Sequence, residues 1–429
     1  MSAIRIPWRV RNAWECCRDF LRDPGPHVNR LGFLKPRRRP PSVSFFPEFT
    51  DEAEFLDAYH KAAYFLPEGV VDRVVFPVAF DPGFPLETPG AWPKPDYVAD
   101  MDLPAHRKLQ VMRTRRLPAL RALLSSDYVF VWDRRALGRF GLLASGSKKL
   151  QDVDRHRHIN EGWIWGGFMS LLEPEETKAA TQRLSQERFL GFLDALPRYE
   201  KCYVFGTGPS LEQAWKHDFS DGYRIVCNTI VRNGALLDHI APHFICAGDA
   251  AYHFGNNHHA YRFRRDLEQA LDGRDALFIT RDNLFPLFLH HHPSLSDKSV
   301  AAEFVERGIE MDYRRRLVYL RMGNILNCLM LPLASSIARD IRLLGFDGRA
   351  PGEKVFWQNW SRGTYDDLKP SIRAAHPAFF SEMNYEKYAR QHGENADRIM
   401  AIGESRGKEY VCMNPSHVPA FQKRYRGEE

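Results

Sequence analysis

The 429-residue chain has no run near the ~20 uninterrupted apolar residues that a membrane span requires. Its opening stretch, "MSAIRIPWRVRNAWECCRDF", holds no apolar segment of secretory-signal length. Both absences lead us to expect a cytoplasmic protein. The chain also lacks any C-x-x-C pair. Its seven cysteines, Cys16, Cys17, Cys202, Cys227, Cys246, Cys328 and Cys412, are odd in number, scattered, and mostly set in apolar strand-like contexts. Buried thiols in a reducing compartment account for them better than disulfides or zinc. Charge of one sign is not concentrated either. The net charge is +6, and the basic clusters "KPRRRP" (35 to 40), "RTRR" (113 to 116) and "YRRRL" (313 to 317) are dispersed. No nucleic-acid-binding module accompanies them, so no nucleic-acid partner is expected. "HHHP" (290 to 293) has no third element to complete a metal site, and no metal is expected there.

What is present is a hydrophobic fraction of 44% with 27% charged residues, the balance of a soluble globular protein long enough for two domains. Residues 1–50 form a basic, Pro-rich segment. Trp8, Trp14 and Phe20 stand among Arg5, Arg9, Arg11 and Arg18, giving either a surface helix docked on the body or a basic amphipathic helix on the inner face of a membrane. The stretch 21 to 50 reads as an extended connection without a core of its own.

Residues 51–172 read as a small α/β domain. Helical spacing in "DEAEFLDAYHKAAYFL" is followed by a strand at 71 to 80, a helix at 106 to 125, and a strand at 128 to 132 with a helix-like segment after it. The stretch 150 to 172, with His156, His158, Trp163 and Trp165, is either a substrate-facing loop or a domain junction.

Residues 173–429 open on a polar helix (174 to 196). They then alternate helical segments with short apolar strands: "CYVFG", "YRIVCN", "HFICAG", "DALFIT", "RLVYL", "IRLLGFD" and "EYVCMN". This pattern predicts an α/β fold with a mostly parallel, Rossmann-like sheet covered on both faces. Ligands of such sheets sit at the carboxyl ends of the strands.

Several small or polar residues fall just past those ends: Gly206-Thr207-Gly208-Pro209-Ser210, Asn228, Asp249, Arg321-Met322-Gly323-Asn324 and Asp347. Gly206 and Gly208 allow either a tight turn or close approach of backbone to a phosphate, with amides of the following helix facing the anion and Ser210 able to cap it. The third glycine of a dinucleotide fingerprint and the Gly-Lys of a Walker loop are both missing. Asn228 can pair with a base or ribose, or form a local Asx turn. Asp249 can bind a ribose hydroxyl or a metal, or cap a helix. Arg321 offers a planar fork to phosphate, or a surface salt bridge.

Taken in order, "VFGTGPSL", "RIVCNTIVRN", "APHFICAGDAAYHFG", "LRMGNILNCLMLPLASSIARDIRLLGFDG" and "GKEYVCMNPSHVPAF" resemble the bacterial Rossmann-like sialyltransferases. They also resemble the related domain of flagellin-modifying motility accessory factors. The resemblance covers about residues 200 to 425. It implies a metal-independent, inverting glycosyltransferase without a cofactor, moving a sugar such as a sialic or other nonulosonic acid from a nucleotide donor to a surface glycan or protein acceptor. It further implies nucleotide contacts from Gly206, Thr207, Gly208, Pro209, Ser210, Asn228, Arg321, Gly323 and Asn324, and a general base at His376, with His392 as second candidate and Asp249 near the acceptor or ribose. The family's hydroxyl residue is replaced by Gly323, and of its two phosphate-assisting tyrosines only Tyr365 is available. A related family of archaeal pterin diphosphokinases shares the Gly-x-Gly-Pro-Ser turn. That alternative implies magnesium on Asp249 and Asp347. A third alternative is a non-catalytic nucleotide-binding scaffold of glycan assembly.

Overall fold

Parallel strands build both halves of the protein. The computed structural model describes residues 40–84, 92–99, 101, 109–113, 126–139, 150–350 and 360–427. Its contacts divide the chain into two units: Met1–Phe168 with His376–Phe379, and Met169–Ala375 with Phe380–Glu429. The expected N-terminal helix, and with it Cys16 and Cys17, lies outside the described residues.

In the first unit, β1 (Ser42–Phe46), β2 (Arg73–Val78), β3 (Leu109–Arg113), β4 (Tyr128–Val131) and β5 (Leu150–Asp152) form one parallel sheet in the order β3-β2-β1-β4-β5. Helix α1 (Glu52–Phe65) follows β1, its first turn capped by Asp51, which accepts the Glu54 N–H at 3.0 Å. The core is aromatic. Phe45 stacks on Phe76 at 4.6 Å, and Phe130 meets Trp165 edge-on at 4.9 Å; such pairs add about 0.5–1.5 kcal/mol beyond their buried area.

Two expectations are corrected here. The stretch 21 to 50 is not free of core: β1 is the central strand, with Val43, Ser44 and Phe45 buried. Its serines and the Pro-Arg run before it hide the strand pattern. The helix expected over 106 to 125 is a strand where described, paired with β2 from Val74↔Leu109 to Val78↔Arg113. Ladder bonds on the sheet outweigh the helical spacing; residues 106–108 and 114–125 lie outside the described residues. The stretch 150 to 172, read as either a substrate-facing loop or a domain junction, is β5 and then α2 (Glu161–Leu172), and the division between the two units falls inside it, after Phe168.

The second unit opens on α3 (Glu175–Ala195). Its strands are β6 (Lys201–Phe205), β7 (Gly222–Cys227), β8 (Phe244–Cys246), β9 (Leu277–Arg281), β10 (Ser299–Val305), β11 (Val318–Leu320), β12 (Asp340–Leu344) and β13 (Glu409–Cys412). They pair in parallel throughout, in the order β11-β10-β9-β8-β7-β6-β12-β13. The chain steps outward from β6 to β11, then returns to the other flank of β6. α4 (His258–Leu271) precedes β9, α5 (Leu331–Ile337) precedes β12, and α6 (Tyr385–Ser405) leads into β13.

β10 carries no strong strand signal in the sequence, because Ala301 and Ala302 interrupt its apolar run. Polar side chains of α3 serve this side of the sheet: Ser185 Oγ accepts the Ala301 N–H at 3.0 Å, and Gln186 Oε1 accepts that of Leu317 at 2.6 Å. The Arg321–Asn324 turn thus follows the sixth strand of this sheet, not the fifth. The five described cysteines are buried and free. Among the described residues, no helix is long and apolar enough to cross a membrane.

Candidate functional site at the carboxyl edge

The Gly-x-Gly turn after β6 is occupied by protein. Gly206 N–H donates to Leu344 O at 2.7 Å and Gly208 N–H to Gly345 O at 2.9 Å. The Ser210 amide and hydroxyl both donate to the Asp347 carboxylate, at 3.1 and 2.8 Å. A Cβ on Gly206 would collide with the Gly345 carbonyl, and one on Gly208 with Asp347. Gly345 itself has φ +85°, which favours glycine. The glycines therefore let two turns interlock, with Asp347 in the place expected for a phosphate. Pro209 opens a 3₁₀ helix (Pro209–Lys216) rather than an α-helix; its cap position is Gly208, not Ser210. The Thr207 carbonyl accepts from Trp360 N–H at 2.6 Å.

Beside this closed turn, the edge over β7 and β8 is differently built. Asn228 directly follows β7 with φ +50°, in the left-handed region that costs a non-glycine residue on the order of 1 kcal/mol. Its Oδ1 is buried and has no hydrogen-bond partner among the described residues. An unpaired buried acceptor costs about 1–3 kcal/mol, so this one residue carries two penalties. Asp249, past β8, accepts the amides of Ala251 and Tyr252 at 2.9 and 2.7 Å, and its own N–H donates to His253 Nδ1 at 3.1 Å. It heads a turn; the cap of α4 is Asn257.

Farther along the edge, Gly323 has φ +92°, and a Cβ there would lie 3.6 Å from the Tyr388 ring. Burial raises the Tyr388 pKa, with Cys328 and Asp249 adding to the shift. Asn324 donates to His392 Nδ1 at 2.6 Å. Arg321 projects a half-exposed side chain, loosely paired with Glu306 at 3.8 Å. α6 thus brings Tyr388 and His392 to the turn after β11. His392 is already the second candidate for the base in the sequence; Tyr388 is missed there, its one signal being the i, i+4 spacing from His392 on a polar helix.

Tyr365 sits against α4, and His376 belongs to the first unit. Tyr365 is buried, its hydroxyl donating to Asp266 of α4 at 2.5 Å and its ring beneath the Arg232 guanidinium. His376 is counted with the first unit: Nε2–H donates to Ile159 O at 2.9 Å, and Nδ1 is 3.4 Å from Glu161 Oε2. Glu161 is buried as well, 3.0 Å from Lys61 Nζ and accepting from Trp165 Nε1 at 2.5 Å. Nε2 is thus hydrogen-bonded and Nδ1 lies beside a carboxylate, within a packed charge network.

The fold defines an α/β protein with Rossmann-like parallel sheets. No protein-family model matches the chain, and neither does any curated protein or solved structure.

Proposed function

We propose that the second unit binds a nucleotide-activated sugar at its carboxyl edge and transfers the sugar, without a metal, to a glycan or protein acceptor. The observation that carries this reading is Asn228: a strained, partly buried asparagine at a strand end, whose buried oxygen lacks the donor that a base or ribose hydroxyl would supply. The nucleotide lies across the carboxyl ends of β7 to β11, against Asn228 and the Arg321–Asn324 turn. Gly206 to Ser210 shape the neighbouring wall rather than cradle the phosphate. Asp249 borders the same edge and orients the acceptor or ribose. The resemblance alone assigns the base to His376, and the network that holds this histidine supports a structural role instead. We place the activity in the cytoplasm.

The magnesium-dependent diphosphokinase reading needs Asp249 and Asp347 as ligands. Each is already hydrogen-bonded to backbone amides, which favours the transferase. A thermal-shift panel of cytidine, uridine and guanosine nucleotides and their sugar conjugates tests the proposal, since a ligand bound by the native state raises the midpoint. Donor hydrolysis that persists in chelator supports transfer; activity abolished by chelator supports the kinase. A panel without any shift overturns both.

A further inference from the structure

His392 is held by an unusual amount of polar structure. Its Nδ1 lies 2.6 Å from Asn324 Nδ2 and 3.0 Å from Asn327 Nδ2, and the Asn327 amide also donates to the His392 carbonyl at 2.9 Å. Because a carbonyl only accepts, that last bond identifies the NH2 end of Asn327. Nδ1 is therefore an acceptor, and the proton of the neutral ring sits on Nε2. Burial lowers the His392 pKa to about 4, which keeps the ring neutral near pH 7.

The clamp is costly. Asn327 is fully buried, and its Oδ1 has no partner among the described residues. It belongs to a π-helical turn, Leu326–Met330, a widened geometry that recurs at functional sites. Nε2 makes no hydrogen bond to any described residue. One ring nitrogen is thus fixed by two amides, while the other carries the proton and has no hydrogen-bond partner among the described residues.

We propose that His392 is a binding residue whose Nε2–H donates to an anionic oxygen of the ligand, the phosphate when the ligand is a nucleotide. This rests on the reading of the edge as a nucleotide site and gives the phosphate a recognition group that the closed Gly-x-Gly turn does not. Nor does His392 serve as a general base in this state, because Nδ1 already accepts two amides and Nε2 already carries the proton.

Isothermal titration of CMP and UDP against cytidine and uridine tests it, with wild type, His392→Gln and His392→Asn. The expected result is about tenfold weaker binding of the nucleotides by both variants, the size of one lost hydrogen bond to a charged group, with nucleoside binding within twofold of wild type. In parallel, ¹⁵N spectra of histidine-labelled wild type at pH 7 are expected to show His392 protonated at Nε2 and that resonance moving as nucleotide is added. The spectra decide the matter even where a variant does not fold: a proton on Nδ1, or an unmoved Nε2 resonance at saturating nucleotide, overturns the inference. If wild type binds all four compounds and the variants bind the nucleotides equally well, this inference alone falls. If wild type binds none of them, it falls together with the proposed function.

Discussion

The Asp347 carboxylate closes the turn of Ser210, accepting its hydroxyl at 2.8 Å and its amide at 3.1 Å across 137 positions of sequence. Removing the carboxylate strands two polar groups, so Asp347→Ala should lower stability by about 1–3 kcal/mol. Gly208→Ala should cost at least as much, because its Cβ has no room beside Asp347 and Gly345. Urea denaturation followed by circular dichroism measures both. A phosphate cradle gives the opposite signature: Asp347→Ala would then bind nucleotide more tightly, by vacating the amide of Ser210.

That pair also marks where the sequence stops being informative. β6, β7, β8 and β9 were legible because buried parallel strands read as short Val/Ile/Phe runs, and the α/β class followed from their alternation with helices. β1 and β10 were not, since serines and alanines dilute their patterns and only neighbours in the sheet define them. At the edge, Asn228, Asp249 and the Arg321–Asn324 turn could be named from their positions after strands. The meaning of Gly206 and Gly208 could not, because glycine serves a ligand and a partner turn equally, and the partner here comes from β12. His376 had a suitable chemistry and spacing, but its neighbours, Ile159 and Glu161, lie more than 200 positions away in the chain and are visible only in the fold.

Glu161 holds the buried network of the first unit, with Lys61, Trp165 and His376 around one carboxylate. Glu161→Gln keeps the shape and removes the charge, leaving Lys61 the more distant Asp57 carboxylate at 3.4 Å. A loss of about 3 kcal/mol is expected, as for a broken buried ion pair, with nucleotide affinity of the folded protein unchanged. His376→Gln should likewise lower the urea midpoint. If His376→Gln instead keeps its midpoint and abolishes turnover, the base belongs at His376 after all.

Stability should decline on mild acidification. Burial lowers the pKa of His243, His259 and His392 to about 4 each, with Arg224 adding to the effect at His243. In the unfolded chain the same groups titrate near pH 6.5. Between those values the unfolded state holds more protons, so unfolding free energy rises with pH and is lost as pH falls from about 6.5 toward about 4. Each histidine contributes on the order of 1 kcal/mol per pH unit in that window. Urea midpoints at pH 7.5, 6.0 and 5.0 should therefore drop steadily. A flat profile down to pH 5 would mean that these rings are protonated in the native state.

Asn228 offers the sharpest separation of binding from folding. Glycine adopts φ +50° without strain, and Asn228→Gly also removes the buried, unpartnered oxygen. The variant should be as stable as wild type or more so, by up to about 1 kcal/mol, while nucleotide affinity falls about tenfold or more. A residue whose removal stabilises the fold and weakens the ligand is retained for the ligand. Thermal midpoints with and without CMP or UDP give both quantities in one experiment. If the glycine variant is destabilised and its nucleotide shift is unchanged, Asn228 is a structural turn residue and the carboxyl edge loses its strongest claim to be the site.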